Sequence, residues 1–349
     1  MFIDPHVHLR DGSEKDQKLK ETVKHGLQVA LASGLDAVFD MPNTDPPIMN
    51  RQNVMDRLKL AKDSGITDVF YGVYIGLTAD MGQVRRAVEV VREFNQVVGM
   101  KLYAGHSTGD LGVIREEDQQ RIYETLSNEG YEGILAVHCE KESEMDGGLW
   151  TPERPYSHCL ARPESAEIES VRDQLGFAEQ YNFPGKLHIV HVSSPTAVEM
   201  IDTARSSLDV SCEVCPHHFI FDYGEMDKSN GILYKMNPPL RSGESRDQLF
   251  QHLRDGKIDW LATDHAPHTL GQKSGQNAAS GITGLNRWDL FREYLSHHDF
   301  SNSLIERLTF GNARDRFGVD VDNRNRPTED RTDDYPVDFY GRIAEEIGY

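Results

Sequence analysis

The stretch Phe2-Ile-Asp-Pro-His-Val-His-Leu-Arg10 decides both the fold and the site. Its apolar residues predict a buried strand, on which alternate side chains point the same way. His6 and His8 therefore direct two imidazoles at one point, and Arg10 shares their parity where the strand should end. Two neutral imidazoles can begin a metal site, and an adjacent arginine can bind a carboxylate through two hydrogen bonds. Taken alone, the pair is equally well explained as two buried, hydrogen-bonded histidines.

Strand-like and helix-like segments alternate along most of the chain. The predicted strands span residues 3–9, 37–41, 68–75, 97–103, 134–139, 187–192, 209–215 and 259–264. The predicted helices comprise one marked by Leu19, Val23, Leu27 and Leu31, one around 81–91, and others over 50–64, 116–128, 164–181, 195–206, 246–255, 285–297 and 302–317. Eight such units predict a single (β/α)8 TIM barrel.

A doubly wound open sheet is the alternative fold. Such a sheet typically has a glycine-rich phosphate turn after its first strand, where His6-Val-His-Leu-Arg10 stands instead. We expect the barrel to occupy residues 1–318. An acidic tail over 319–349 is expected to pack on it.

The 349-residue chain carries a formal net charge of −20, which argues against nucleic acid as a partner. An anionic substrate would need a local cationic pocket in such a protein. No run of 18 apolar residues predicts a membrane span, and the N-terminus enters a strand without a secretion signal. We therefore expect a cytoplasmic protein, and its four cysteines are too few for a disulfide scaffold.

Polar side chains recur where the predicted strands end, which is where TIM barrels place their catalytic groups. Burying each of them without a partner would be costly, so a purely structural role for the whole set is disfavoured. The set comprises His6, His8, Asn43, Lys101, His138, His191 and Asp264.

Four histidines and an aspartate suit zinc or another borderline divalent ion. They exceed the three protein ligands usual for one catalytic zinc, which indicates two ions. Lys101 does not fit this set as an ammonium, because two dications would repel it. Carbamylation by carbon dioxide would convert it into an anionic bridge, and a lysine paired with a carboxylate is the alternative.

Ten motifs follow one another along the chain. They are Asp4-Pro-His-Val-His-Leu-Arg10, Met41-Pro-Asn-Thr44, Met100-Lys-Leu-Tyr103, Val137-His-Cys-Glu140, Arg162-Pro-Glu-Ser-Ala-Glu167, His191-Val-Ser-Ser194, Glu213-Val-Cys-Pro-His-His218, Asn237-Pro-Pro-Leu-Arg241, Ala262-Thr-Asp-His-Ala-Pro-His268 and Ser280-Gly-Ile-Thr-Gly-Leu285. In this order they resemble the dihydroorotases of the amidohydrolase superfamily over nearly the whole chain. Many members of that family carry a flanking β-sandwich, and we expect none of substantial size here.

The resemblance implies a binuclear zinc site bridged by N6-carboxylated Lys101. His6, His8 and Asp264 would hold one ion, and His138 and His191 the other. It also implies reversible cyclisation of N-carbamoyl-L-aspartate to L-dihydroorotate in pyrimidine (UMP) synthesis, with a metal-bridged hydroxide as nucleophile and Asp264 as general base and acid. The implied substrate contacts are Arg10, Asn43 and His268 to the carboxylate, and Asn237, Ser280 and Gly281 to the ring.

Other functions remain open from the sequence. A hydantoinase or allantoinase is one alternative, although Arg10 argues against substrates that lack the ring carboxylate. A non-catalytic scaffold for aspartate transcarbamoylase is another. Association with that enzyme, or with a second copy of the chain, would also be compatible with catalysis. The loop 271–284 is our candidate for closing over the substrate.

Several further residues are given structural roles. Cys212 and Cys215 lie three apart on a strand, so they should face opposite sides and not chelate a metal together. His188 has the opposite parity to His191 and is expected to face the helices. His217 and His218 follow the seventh strand and could reach the site, but we favour a structural role for them.

Overall fold

Eight parallel strands form the centre of the protein in the computed structural model, which describes residues 2–12, 15–106, 111–321 and 328–349. Each strand pairs with the next in chain order. The first and last parts of the sheet meet where the His8 amide donates to the His265 carbonyl over 2.8 Å. The nearly closed sheet confirms the predicted TIM barrel and excludes the doubly wound alternative.

The helices surround this sheet and alternate with its strands. The strands are β1 (Phe2–Val7), β2 (Leu35–Asp40), β3 (Phe70–Gly76), β4 (Val97–Ala104), β5 (Ile134–Cys139), β6 (Lys186–Ile189), β7 (Val210–Val214) and β8 (Trp260–Leu261). The α-helices are α1 (Lys15–Lys20), α2 (Val23–Ala32), α3 (Arg51–Ser64), α4 (Met81–Glu93), α5 (Glu116–Asn128), α6 (Ser157–Ala161), α7 (Glu164–Gln180), α8 (Pro195–Ala204), α9 (Pro216–Ile220), α10 (Gly243–Arg254), α11 (Trp288–His297), α12 (Asn302–Glu306), α13 (Asn312–Phe317) and α14 (Gly341–Ile347). A π-helical turn, Arg307–Gly311, joins α12 to α13.

The first predicted helix is wrong, because the structure divides it into α1 and α2. Thr22 has extended backbone angles, and its side chain accepts a hydrogen bond from the His25 amide, so it begins a new helix. Leu19 consequently lies outside the buried stripe and is 61% exposed. The apolar spacing of four was correct only from Val23 onward.

Two apolar layers stabilise the barrel. Residues such as Ile3, Phe39, Tyr74 and Trp260 fill its interior, and a larger cluster packs between the strands and the helices. The C-terminal residues Tyr335, Phe339, Tyr340 and Ile343 are buried in that larger cluster. In the described residues no helix combines the length and the apolar character needed to cross a bilayer.

Candidate active site

A cavity opens at the carboxyl ends of the strands. Ten of the twelve candidate residues line it, and the other two, Lys101 and His268, do not. Tyr103 and Ala266 also contribute, and neither was singled out from the sequence. The lining comprises His6, His8, Arg10, Asn43, Tyr103, His138, His191, Asn237, Asp264, Ala266, Ser280 and Gly281.

Asp264 is the centre of the first group of candidate ligands. Its Oδ1 lies 2.9 Å from Nε2 of His8 and 3.3 Å from Nε2 of His6. Burial would raise the pKa of Asp264, but the nearby His6 and the short contact with His8 hold it well below its usual range. The carboxylate is therefore ionised at neutral pH. Asp264, His6 and His191 each offer an atom within 4.8 Å of the other two.

The hydrogen bonds of their Nδ1 atoms define which ring nitrogen of His6 and of His8 carries the proton. Nδ1 of His6 lies 2.6 Å from Oε1 of Glu213, and Nδ1 of His8 lies 2.6 Å from Oδ1 of Asn43. Because these oxygens accept hydrogen bonds, both Nδ1 atoms carry the proton and both Nε2 atoms present lone pairs to Asp264. Burial lowers the pKa of His8 to about 4, which keeps it neutral. Such converging acceptors fit a cation between them.

His138 and His191 form the second group. Nδ1 of His138 lies 3.0 Å from Nε2 of His191, and Nδ1 of His191 has no hydrogen-bond partner among the described residues. Burial lowers the pKa of both, so they are neutral imidazoles at neutral pH. Two neutral imidazoles with an unused nitrogen fit a borderline metal.

The backbone is strained at two of these residues. His191 has φ of 38° and Asp264 has φ of 46°, the left-handed region that residues other than glycine rarely adopt. Such strain concentrates at functional sites, where the surrounding structure maintains it. Both residues follow strands that end early, since β6 ends at Ile189 and β8 at Leu261.

Lys101 lies on β4 and is fully buried. Its Nζ has no hydrogen-bond partner among the described residues, so the lysine–carboxylate alternative has no such contact to support it. Burial lowers the pKa of Lys101 to about 8. An unpartnered amine with this pKa fits a lysine that reacts with carbon dioxide, because the neutral amine is the reactive form.

Glu213 is a buried member of the site that sequence reasoning missed. Besides His6, its carboxylate lies 3.1 Å from Nε2 of His188 and accepts from Nε1 of Trp260 over 3.1 Å. His188 therefore faces the barrel interior and not the helices. The parity argument failed because β6 ends at Ile189, and the left-handed turn at His191 breaks the alternation.

A second buried carboxylate, Glu140, supports His138. Its Oε2 lies 3.0 Å from Nε2 of His138, and its Oε1 accepts from Nε of Arg162 over 3.0 Å. The motifs containing Glu140, Arg162 and Glu213 were recognised, but their spacing gives no indication of these contacts. Only the folded chain brings them beside the histidines.

Arg10 provides a buried positive charge at the cavity. It is 5% exposed, and its Nε has no partner among the described residues. Its Nη2 lies 3.4 Å from Nε2 of His268, which lies 3.0 Å from the Ser280 carbonyl oxygen. His268 thus contacts two residues that line the cavity, Arg10 and Ser280. This arrangement can bind a carboxylate through the guanidinium.

The loop 271–284 is attached to the cavity wall by two lysines. Nζ of Lys273 donates to the carbonyls of Lys235 over 2.9 Å and of Gly281 over 2.7 Å, and Nζ of Lys235 donates to Oγ of Ser280 over 3.1 Å. Oδ1 of Asn237 lies 3.0 Å from Nε2 of His158. These contacts hold Ser280, Gly281 and Asn237 around one side of the cavity.

Comparison with known proteins identifies relatives over most of the chain. No protein-family model matches the chain. The chain is 36% identical over 285 residues to a dihydroorotase from Thermococcus kodakarensis, covering 81% of this chain and 59% of that protein. It is 32% identical over 332 residues to a dihydroorotase from Methanosarcina mazei, covering 91% and 70% respectively. The chain thus spans about three fifths of the length of the first of these relatives.

Solved structures support the fold. The L-hydantoinase from Arthrobacter aurescens superimposes with a TM-score of 0.78 at 21% identity, covering 91% of this chain and 70% of that one. The D-hydantoinase from a Thermus species gives a TM-score of 0.74 at 23% identity, covering 90% and 70%. At this identity the likeness concerns the barrel architecture.

Proposed function

Because the chain belongs to the dihydroorotase family, we propose that it is an active dihydroorotase that interconverts N-carbamoyl-L-aspartate and L-dihydroorotate in pyrimidine synthesis. The observation that carries this proposal is the position of buried Arg10 at the same cavity as Asp264 and the four histidines. The cavity thus combines a group for binding a carboxylate with groups suited to opening a cyclic amide.

Two divalent ions, with zinc as the proposed metal, would be held by the residues of the two groups. His6, His8 and Asp264 would hold one and His138 and His191 the other, with N6-carboxylated Lys101 between them. The lone pairs converging on Asp264 and the unpartnered Nζ of Lys101 support this assignment. When bound, such a pair polarises a carbonyl and makes water a nucleophile near neutral pH.

Asp264 would transfer the proton in the reaction. In the hydrolytic direction, the water oxygen bonds to the ring carbonyl carbon and Asp264 takes its proton. The carbon–nitrogen bond then breaks, and Asp264 gives the proton to the leaving nitrogen, acting first as base and then as acid. Its low pKa keeps it ionised for the first step, and the contact with His8 orients Oδ1.

Arg10 would orient the substrate by pairing with its ring carboxylate. The guanidinium is buried, so this ion pair would be poorly screened by solvent. Asn43 and His268 would assist Arg10, while Asn237, Ser280 and Gly281 would contact the ring. Asn43 also orients His8 through its side-chain oxygen, so it would serve both substrate and ligand.

Turnover measurements on three substrate classes test this proposal. L-dihydroorotate, allantoin and 5-substituted hydantoins are compared on one preparation with its metal content determined. We expect preference for L-dihydroorotate, because only this ring carries the carboxylate suited to Arg10. Preference for a hydantoin or allantoin would instead assign the chain to the ureide hydrolases.

Association with aspartate transcarbamoylase or a second copy of the chain is compatible with this activity. The complete set of candidate ligands disfavours a scaffold without catalysis. Sizing the chain alone and mixed with that enzyme at micromolar concentration tests both associations. An unchanged elution volume in the mixture would argue against association with that enzyme. A monomeric mass for the chain alone would argue against a homodimer.

A further inference from the structure

Cys215, His217 and His218 form a second cluster of candidate ligands that the proposed reaction does not use. Cys215 follows β7, and the two histidines lie in α9. Each offers an atom within 4.8 Å of the other two, and their exposed fractions are 0%, 1% and 3%. None of the three lines the cavity described above.

The strand geometry directs Cys215 into the barrel mouth. Along β7, Ser211 and Glu213 contact His188 inside the barrel. Cys215 lies one residue beyond the strand but keeps extended backbone angles (φ −93°, ψ 144°), so it continues the same face. Cys212 has the opposite parity and belongs to the outer apolar layer, where its Sγ lies 3.8 Å from the Lys257 carbonyl oxygen. Only one cysteine of this C-x-x-C segment therefore reaches the cluster.

The two histidines have unused nitrogen atoms. Nδ1 and Nε2 of His217 and Nδ1 of His218 have no hydrogen-bond partner among the described residues. Nε2 of His218 lies 3.1 Å from the Pro238 carbonyl oxygen, so it carries the proton and leaves the lone pair on Nδ1. This is the arrangement of a metal-binding histidine whose second nitrogen is fixed by a carbonyl.

Buried imidazole nitrogens without partners are rare because they lose their contacts with water and gain none in return. Burial lowers the pKa of His217 to about 4 and that of His218 well below its usual range, so both rings are neutral at neutral pH. Burial also raises the pKa of the Cys215 thiol, so a bound ion must displace its proton. The resulting thiolate would offset part of the ion's charge.

We propose that Cys215, His217 and His218 bind a further divalent ion of the zinc class, beside but separate from the dihydroorotase site. A thiolate with two imidazoles is a donor set that suits zinc and cobalt(II). Three protein ligands leave a fourth position for water. The two clusters share no residue, so this ion is additional to the pair proposed for catalysis.

Cobalt(II) reports a thiolate ligand directly, because the sulfur–cobalt bond produces a near-ultraviolet charge-transfer band that histidine and carboxylate ligands do not give. The full chain is freed of metal, titrated with cobalt(II) without oxygen, and its metal content is measured. We expect the band and three ions per chain. Cys215→Ser should lose the band and one ion, whereas the matched control Cys212→Ser should retain both.

The proposal is overturned if the fully loaded wild type shows no thiolate band, or if the band survives in Cys215→Ser. A second measurement covers failure of that variant to fold. X-ray absorption of the zinc-loaded wild type should show a sulfur shell at about 2.3 Å, and its absence contradicts the site. Neither result depends on turnover, so it is separate from the test of the proposed activity.

Discussion

Oε1 of Glu213 lies 2.6 Å from Nδ1 of His6. Burial alone would raise the pKa of Glu213, but His6 and His188 together hold it far below its usual range. The carboxylate therefore fixes the His6 ring with its Nε2 lone pair toward Asp264. The same carboxylate also contacts His188 and Trp260 in the barrel interior. Glu213 is therefore held in place by the interior and in turn positions the candidate ligand His6.

Glu213→Gln should weaken metal binding, because the amide can no longer orient and polarise His6 as a carboxylate does. We expect a loss of about 10- to 100-fold in zinc affinity, measured by competition with a chelating dye. Ser211→Ala is the matched control, since Oγ of Ser211 contacts His188 and not a ligand. Equal zinc affinity in wild type and Glu213→Gln would show that His6 is positioned by other contacts.

Asp264→Asn should abolish turnover while the melting temperature stays near that of the wild type. The amide cannot take the proton from water, and it is a weaker ligand than the carboxylate. His6→Ala should likewise abolish turnover. Circular dichroism checks that both variants fold, and normal turnover in either folded variant contradicts the proposed mechanism.

Lys101 should make recovery of activity depend on carbon dioxide. Its pKa of about 8 lies below the ordinary 10.5, so more of the amine is in the neutral, reactive form than in an unperturbed lysine. That neutral fraction rises roughly tenfold between pH 6 and pH 7. At a fixed carbon dioxide pressure, metal-free protein given zinc should therefore recover faster at pH 7 than at pH 6. Lys101→Arg keeps the positive charge but should remain inactive. Recovery of wild-type activity that does not depend on carbon dioxide would contradict the proposed carbamate on Lys101.

Arg10→Ala should mainly raise the KM for L-dihydroorotate. Loss of one charge-assisted contact to the carboxylate costs about 1.5–3 kcal/mol, or roughly 10- to 150-fold in KM. Arg10→Lys should be intermediate, because an ammonium cannot make the two-pronged pair. A fall in kcat with KM unchanged would place Arg10 in transition-state stabilisation and not in substrate anchoring.

Glu21, which contacts the C-terminal segment, should make the stability of the protein depend on pH. It accepts from the Tyr335 hydroxyl over 2.8 Å and lies 3.1 Å from Nε2 of His265. Burial would raise the pKa of Glu21, but hydrogen bonds from His25 and His265 outweigh it and lower the pKa to about 2. This depressed pKa stabilises the fold above pH 4.5, and the contribution is lost as pH falls toward 2.

Urea unfolding at pH 5.5 and 3.5 checks this expectation. The ionised Glu21 should contribute on the order of 1 kcal/mol less to the free energy of unfolding at pH 3.5 than at pH 5.5. Glu21→Gln lacks a titrating group there, so its stability should fall less than that of the wild type over the same interval. Parallel losses in the two proteins would contradict the role of Glu21.

Alternation along strands predicted much of the cavity. His6 and His8 were predicted to share a direction because they are two residues apart. The rule that catalytic groups follow strand ends then predicted that residues from distant parts of the chain meet at one cavity. The alternation argument failed for His188, because it was counted from His191, which lies beyond the end of β6 at Ile189. The prediction that Leu19 belongs to the same helix as Val23 also failed, because the N-cap at Thr22 begins a new helix.

The supporting carboxylates could not be predicted from spacing. Glu213 and His6 are 207 residues apart, and Glu140 reads as an ordinary charged residue after a strand. Their roles arise from contacts that exist only in the folded barrel. For the same reason the sequence favoured a structural role for His217 and His218, whereas their unpartnered nitrogens are visible only in three dimensions.

Turnover of L-dihydroorotate across a cycle of metal removal and return tests the central claim most directly. Ring opening is followed by the loss of far-ultraviolet absorbance, with zinc per chain measured on each sample. We predict turnover by the zinc-containing protein, none after chelation, and recovery with zinc and bicarbonate. Failure of the folded, zinc-loaded and bicarbonate-treated protein to open L-dihydroorotate would contradict the assignment.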